Sequence, residues 1–374
     1  MTNLCIFTGT FQTGGAENLI VQIINNIDRS KYNVYIGAFS DKGELYQRYK
    51  NLGVEINLFP KGIRSMKSII RFAQFLRQKK IQVIHINLTG TFLFAVTISK
   101  LLFIKNIIIH WHNVYKYDDD LHRLHYVNIL TWIRLHLISK LSNSIIAISK
   151  AVKEKNCKLF KVKEDKVNVI YNSIDLSLIP KKLKIFKKTD NPFIIGSIGL
   201  ISKQKRFDVL IEAFNIVLKD NPNCKLEIVG KKTSDDYACK IINLPDKLGI
   251  KDKVYFTDVL PYKEVYNHLF TWSIFVLASE FEGFGLVLIE AMASGTPVIA
   301  SNVDAIPEII DDNINGLLFK TKNPADLAKK ILRLLKDKEL EKKLIYNAQK
   351  KVRDKFLIDK MVEKLDNLYC NNLY

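Results

Sequence analysis

The stretch SIFVLASEFEGFGLVLIEAMASGTPVIAS (residues 273–301) decides the fold. It opens with the β-forming run Ile274 to Ala278 and passes into a loop where Gly283 and Gly285 resist helix. An apolar helical segment then starts near Leu286 and stops before Gly295, a residue suited to a left-handed C-terminal cap. Thr296 to Ser301 is extended again. A strand that returns to a second strand through a helix is a βαβ unit, and such units build parallel sheets.

The same alternation extends outward. Upstream come FIIGSIG (193–199), a helix near 206–219, CKLEIVG, another helix, KVYFT and a short helix. The first half carries β-rich runs at about 3–8, 33–39, 54–58, 82–86, 106–111, 144–148 and 167–171, with helical patterns between most of them. Between the halves lies the lysine-rich, proline-bounded PKKLKIFKKTDNP (180–192). The pattern predicts an α/β protein of two Rossmann-like parallel-sheet domains facing a cleft. The expected limits are residues 1–178, a linker at 179–192, residues 193–352, and a helix at 353–374 that can return to the first domain.

Length and composition agree. A chain of 374 residues with 48% hydrophobic and 25% charged residues is globular and long enough for two cores. The formal charge of +19 is concentrated in the first half and suits an anionic membrane, a phosphorylated substrate or nucleic acid, unless it reflects compositional bias alone. No zinc-finger, basic-zipper or ribonucleoprotein signature supports the nucleic-acid reading. Five widely spaced cysteines without a Cys-x-x-Cys pair suit a reducing compartment. The amino terminus reads as a first strand, not a secretory signal, and Phe92 to Ile109, broken by Lys100, Lys105 and Asn106, reads as a buried helix, a loop and a strand.

In open α/β sheets ligands sit beyond the carboxyl ends of the strands, so the loops there carry the candidate chemistry. In GTFQTGGAENLI, Gly14 and Gly15 open a helix, either for close approach to a ligand or as a plain turn; the dinucleotide spacing and the P-loop pattern are absent. In IIIHWHNVYKYDDD, His110 and His112 share one face at a strand's end. His112 is favoured as a substrate ligand over a structural histidine, and a metal site is disfavoured because Asp118 to Asp120, His122 and His125 match no ligand spacing. In SIGLISKQKRFDVLIEAF, Lys203, Lys205 and Arg206 crowd a helix start, opposing its dipole by roughly 0.3–1 kcal/mol each, which calls for an anion such as a pyrophosphate unless the turn is simply solvated. In the opening stretch Glu282 lies in the loop and Glu290 one turn inside the helix, leaning back toward the loop. Two carboxylates beside a row of N–H donors suit a sugar nucleotide, although glutamates eight apart are common by themselves.

Taken together, Glu282 with Glu290 around Gly-Phe-Gly-Leu, the Gly-Gly-Ala-Glu loop, His112 before Asn113, YNSID (171–175), KQKRFDVLIEAF, IPEII and NGLLF resemble family 4 of the retaining glycosyltransferases, of the group 1 type and its bacterial surface-polysaccharide branch. The resemblance runs over essentially the whole chain. It implies the GT-B fold, with an acceptor-side first domain and a nucleotide-sugar-binding second domain. By the same similarity Glu282 and His112 would act at the donor sugar, Glu290 at the ribose, and the Phe284, Gly285 and Leu286 amides, with Gly283, at sugar and phosphate. Lys205 and Gly15, with Gly14, would approach the diphosphate. Two departures stand out: Leu200 replaces a usual phosphate-binding arginine, whose charge Arg206 is expected to restore, and Ser173 replaces a frequent glycine.

The implied reaction is retaining transfer from a nucleoside-diphosphate sugar, UDP-linked before GDP-linked, to a glycan or polyprenyl-diphosphate-linked acceptor in capsule, O-antigen or exopolysaccharide assembly. No cofactor and no metal are expected, and the protein is expected in the cytoplasm, peripheral on the inner face of the membrane. The segment LHYVNILTWIRLHLISK (124–140) would present Trp132 and Tyr126 to that surface, or else form a half-buried helix. A sugar-nucleotide epimerase of the same fold and a non-catalytic polyanion binder are the competing readings.

Overall fold

A computed structural model describes residues 1–9, 11, 14–39, 43, 45–60, 65–87, 93–117, 126–127, 129–179, 192–233 and 235–371. The chain divides into two compact units, Met1–Ser173 with Ile358–Tyr374, and Ile174–Leu357. The expected linker lies almost wholly outside the described residues.

The first unit contains β1 (Thr2–Thr8), α1 (Gly15–Asn26), β2 (Tyr32–Ala38), α2 (Tyr46–Lys50), β3 (Glu55–Leu58), α3 (Met66–Gln78), β4 (Val83–Asn87), α4 (Leu93–Leu101) and β5 (Asn106–Trp111). A short pair, β6 (Lys116–Tyr117) and β7 (Tyr126–Val127), precedes α5 (Ile129–Leu141), β8 (Ser144–Ala147), α6 (Lys150–Phe160) and β9 (Val167–Val169). Seven strands form one parallel sheet in the order β3-β2-β1-β4-β5-β8-β9. The strands read as continuous apolar runs because helices bury them on both faces.

The second unit contains β10 (Phe193–Ile198), α7 (Phe207–Asp220), β11 (Cys224–Val229), α8 (Asp236–Lys247), β12 (Val254–Thr257), α9 (Tyr262–Thr271), β13 (Ile274–Leu277), α10 (Leu286–Ser294) and β14 (Val298–Ser301). It continues with α11 (Ile306–Ile309), β15 (Leu317–Phe319), α12 (Pro324–Lys336) and α13 (Lys338–Lys355). Its six strands are again parallel, in the order β12-β11-β10-β13-β14-β15. Both chain ends of this unit leave side by side, because the Ile174 amide donates to the Phe356 carbonyl (2.9 Å) and Ile174 bridges Leu357.

The last helix, α14 (Ile358–Cys370), belongs to the first unit and lies against α1. Met361, Leu365, Leu368 and Tyr369 enter the core formed by Leu4, Ile6, Leu19, Ile20 and Ile24. Polar anchors fix its register: the Asn106 amide donates to the Leu368 carbonyl (2.9 Å), and Lys31 pairs with Asp366 (2.9 Å).

Each sheet reverses its winding direction once, between β1 and β4 and between β10 and β13. Loops leaving the carboxyl ends of strands at such a reversal diverge and open a crevice. The segment read as a buried helix, loop and strand forms those elements in that order, α4 burying Ala95, Val96 and Ser99, but Leu101 (70%) at its end and Phe103 (89%) in the loop are exposed. Among the described residues no helix is long and apolar enough to cross a membrane.

Candidate functional site

In the second unit the loops after β10 and β13 leave the sheet at its reversal and carry the predicted residues. Gly285 caps α10 in the left-handed region (φ +100°, ψ 61°), where a side chain would be strained. No side chain caps α10; within its first turn the Leu288 amide donates back to the Gly285 carbonyl (3.0 Å). Phe284 turns its ring into the core, edge-on to Phe356 at 5.6 Å, which leaves only its backbone for a ligand.

Glu282 sits at the head of this loop. Its Oε2 accepts from Lys205 Nζ (2.6 Å) and from Ser279 Oγ (3.2 Å), while its backbone N–H donates to Asp304 Oδ2 (2.9 Å). Lys205 ends a 3-10 turn, Lys203–Lys205, just after β10. Two backbones nearly touch behind it. Gly230 (φ +152°) lies so close to Gly199 that a β-carbon there would come within 2.0 Å of the Gly199 carbonyl oxygen. Glu290 is one turn into α10 and only 6% exposed.

Arg206 behaves differently from the sequence expectation. It caps α7 in the left-handed region (φ 50°, ψ 47°) and spends its guanidinium on Asp208 (2.8 Å) and Glu280 (3.2 Å). Lys322 adds a second cation to Glu280 (2.6 Å), and Tyr237 donates to Asp208 (3.0 Å). Burial works against ionisation of Glu280, but the bonds from Lys322 and Arg206 prevail and hold its carboxyl below the usual range. The chain's own carboxylates thus answer the charge of Arg206. Lys205, paired within the loop, stays with the site.

In the first unit α1 starts at Gly15 with Gly14 as its N-cap, and the Asn18 amide donates back to the Gly14 carbonyl (3.0 Å). Thr10, Gln12 and Thr13 of this loop, and Asp118 to Asp120, His122 and His125, lie outside the described residues. His112 follows β5 directly. Its Nε2 faces Asn87 Oδ1 at 3.0 Å, so the proton belongs on Nε2 and Nδ1 keeps its lone pair. His110 lies beneath it, with ring centroids 4.1 Å apart. A buried chain continues from His110 Nδ1 to His85 Nε2 (3.1 Å) and from His85 Nδ1 to the Tyr369 hydroxyl (2.7 Å).

Burial lowers the pKa of His112 to about 4 and, with the charge of His112 as a smaller cause, that of His85 to about 3. All three rings are therefore neutral at pH 7. Among the described residues, buried polar atoms without a partner at this end of the sheet include His112 Nδ1, His110 Nε2, Trp111 Nε1 and the Asn87 amide nitrogen. Such a cluster is where a ligand's hydroxyls would find acceptors and a donor. Among the described residues no group of three His, Cys, Asp or Glu side chains is arranged to hold a metal ion.

Sequence reading missed His85, Asn87, Asp304 and Tyr369. His85 and Asn87 carried a weak signal, two polar residues at i and i+2 in the strand VIHIN. Asp304 and Tyr369 carried none, being brought in from distant parts of the chain.

Two parallel Rossmann-like units, each with its crevice loops at a reversal of strand order, define the GT-B class. Anabaena HepE, solved with UDP and glucose, has the same fold at a TM-score of 0.83 and 19% identity, over 98% of this chain and 99% of that one. The chain belongs to the family 4 glycosyltransferases: the model "Glycosyltransferase Family 4" matches residues 13–178 and "Glycosyl transferases group 1" matches residues 179–351. An uncharacterized glycosyltransferase of Methanocaldococcus jannaschii is 32% identical over 68% of this chain and 64% of its own length, so the match spans just under two thirds of that relative. The capsular polysaccharide biosynthesis glycosyltransferase CapM of Staphylococcus aureus is 28% identical, over 66% of this chain and 67% of that protein.

Proposed function

We propose that the protein transfers a sugar, with retention, from a nucleoside-diphosphate sugar to a glycan or lipid-linked acceptor in surface-polysaccharide assembly. UDP-linked donors are the first choice and GDP-linked donors the second. The observation that carries the reading is the Lys205–Glu282 pair set at the head of α10, one helical turn from the buried Glu290. In the proposed cycle the arriving diphosphate takes over Lys205. That frees Glu282 to accept hydrogen bonds from the sugar hydroxyls, and Glu290 takes those of the ribose. The α10 amides at Phe284, Gly285 and Leu286 meet the phosphate and sugar oxygens.

As the glycosidic bond breaks, negative charge grows on the β-phosphate, where Lys205 and the helix amides are already aimed. Arg206 stands behind them as the tie between α7 and Glu280. Positive charge grows at the anomeric carbon, and the acceptor hydroxyl adds from the face the diphosphate leaves, passing its proton to that phosphate. His112, neutral with a bare Nδ1, is assigned to a substrate hydroxyl. Nothing in this cycle requires a divalent ion, so full activity in chelator is the expected result. The surface-polysaccharide role takes support from relatives such as CapM, whose name describes capsule biosynthesis.

The test is a set of melting curves with saturating UDP, GDP, ADP and CMP, with and without magnesium, for the parent and Glu290→Gln. A ligand at 100 times its Kd adds about 2.7 kcal/mol. One base should raise the transition by several degrees in the parent and by much less in the variant. No shift with any nucleotide would sink the donor site.

A further inference from the structure

We propose that the α3–α4–α5 layer of the first unit docks on a bilayer of anionic phospholipid. The inference goes beyond the transfer reaction and holds whatever the donor and acceptor are. Among the described residues, the large apolar side chains left exposed on this unit fall, Met1 aside, on α3, α4 with its following turn, and α5. Ile129, Leu130, Ile133 and Leu137 line one face of α5, at the spacing of a helical stripe. The opposite face and the flank beside the stripe are satisfied inward. Leu135 and Ile138 are buried, and Trp132 and His136 bond to the Leu159 and Phe160 carbonyls (both 2.7 Å). Of the two expectations for this segment, the half-buried helix is the one that holds for Trp132, and the aliphatic stripe is what remains outward.

Phe103 points the same way. It is 89% exposed and held at φ 55°, a conformation a bulky side chain adopts at a cost of about 1 kcal/mol or more. An aromatic ring that is both exposed and on a left-handed turn gains nothing in water. It borders a groove of about 420 Å³ between the ends of α3 and α4, walled by Leu76, Ile81 and Leu101 and carrying Arg77 and Lys80. Apolar walls with two cations match a lipid phosphate above its first acyl carbons.

The surrounding charge favours the same partner. Lys166 Nζ lies 3.0 Å from the Lys140 carbonyl, and burial, with the nearby charge of Lys100, lowers its pKa. Among the described residues neither Lys100, Lys140 nor Lys166 has a carboxylate partner. A second copy of the chain meeting this face about a two-fold axis would set the same lysines against one another, whereas an anionic leaflet neutralises them. The groove lies at the amino edge of the sheet, ahead of β4 and β5, while His112 follows the carboxyl end of β5. Docking there leaves the His112 edge uncovered.

The experiment is sedimentation of the full chain with vesicles of phosphatidylcholine alone and of phosphatidylcholine mixed with phosphatidylglycerol. The parent should bind the anionic vesicles and leave the neutral ones. Phe103→Ser with Ile133→Ser, which keeps every charge, should lower the partition coefficient about tenfold. Arg77→Gln with Lys80→Gln should lower it about fivefold per cation. Lys343→Gln with Lys350→Gln, equal in charge but on exposed positions of α13, should change it little. Failure to sediment overturns the proposal. So does an equal loss in the α13 control, which would mean diffuse electrostatics, or light scattering that finds a dimer abolished by the Phe103 and Ile133 changes. Displacement of the protein from vesicles by random oligonucleotides, with the apolar variant unaffected, would replace the bilayer with nucleic acid.

Discussion

Burial keeps His85 and His112 neutral in the folded chain, with pKa values of about 3 and 4 against the ordinary 6.5. A base whose folded pKa is depressed takes up protons first in the unfolded state, so stability falls as pH drops from about 6.5 toward 4. The melting temperature should decline through that window, and less steeply in His85→Phe, which removes one of the protons taken up; an unchanged slope would mean that these rings are not the titrating groups. The Lys205–Glu282 pair yields a second prediction. Lys205→Met leaves a largely buried carboxylate with one weak partner and should cost about 1–3 kcal/mol, while adding Glu282→Gln should recover much of that loss. Neither variant should respond to nucleotide. Denaturant midpoints and nucleotide melting shifts on the parent and these two variants separate the pair's structural role from its binding role.

At the level of elements, the start of α10 and the docking of α14 are the two arrangements most open to test. Gly285→Ala forces a β-carbon into a left-handed cap, at roughly 1–3 kcal/mol, and moves the very amides proposed to meet phosphate. Lower stability together with a lost nucleotide response is expected; a variant that keeps its full nucleotide shift would take those amides out of the site. Helix α14 supplies Leu365, Leu368 and Tyr369 to the first unit's core and closes the chain of bonds through His85 to His110. Tyr369→Phe removes only the hydroxyl and should cost about 1 kcal/mol. Deletion of 358–374 should unfold the first unit while limited proteolysis still finds residues 174–357 protected.

For the whole molecule, the amino-acid sequence determined the alternation of strands and helices, the two parallel sheets, and the positions of Glu282, Lys205, His112 and Glu290 in or just after loops that leave strand ends. It could do so because periodicity and turn chemistry are local, and because parallel strands need helical crossovers of a fixed minimum length. The same local reading misjudged charge. Lys203, Lys205 and Arg206 looked like one uncompensated cluster, yet Glu280 and Glu282 arrive from the loop after β13 and, with Asp208 two residues further along, divide Arg206 and Lys205 between scaffold and site. Of the two readings of the 124–140 segment, the half-buried helix holds, with Trp132 bonding the Leu159 carbonyl, while Phe103 is exposed. Only the tertiary structure decided these matters, and also that α14 returns to the first unit and that Tyr369 reaches His85. Each depends on which distant segments share a neighbourhood, and pairwise contacts across hundreds of residues leave no periodic trace in the chain.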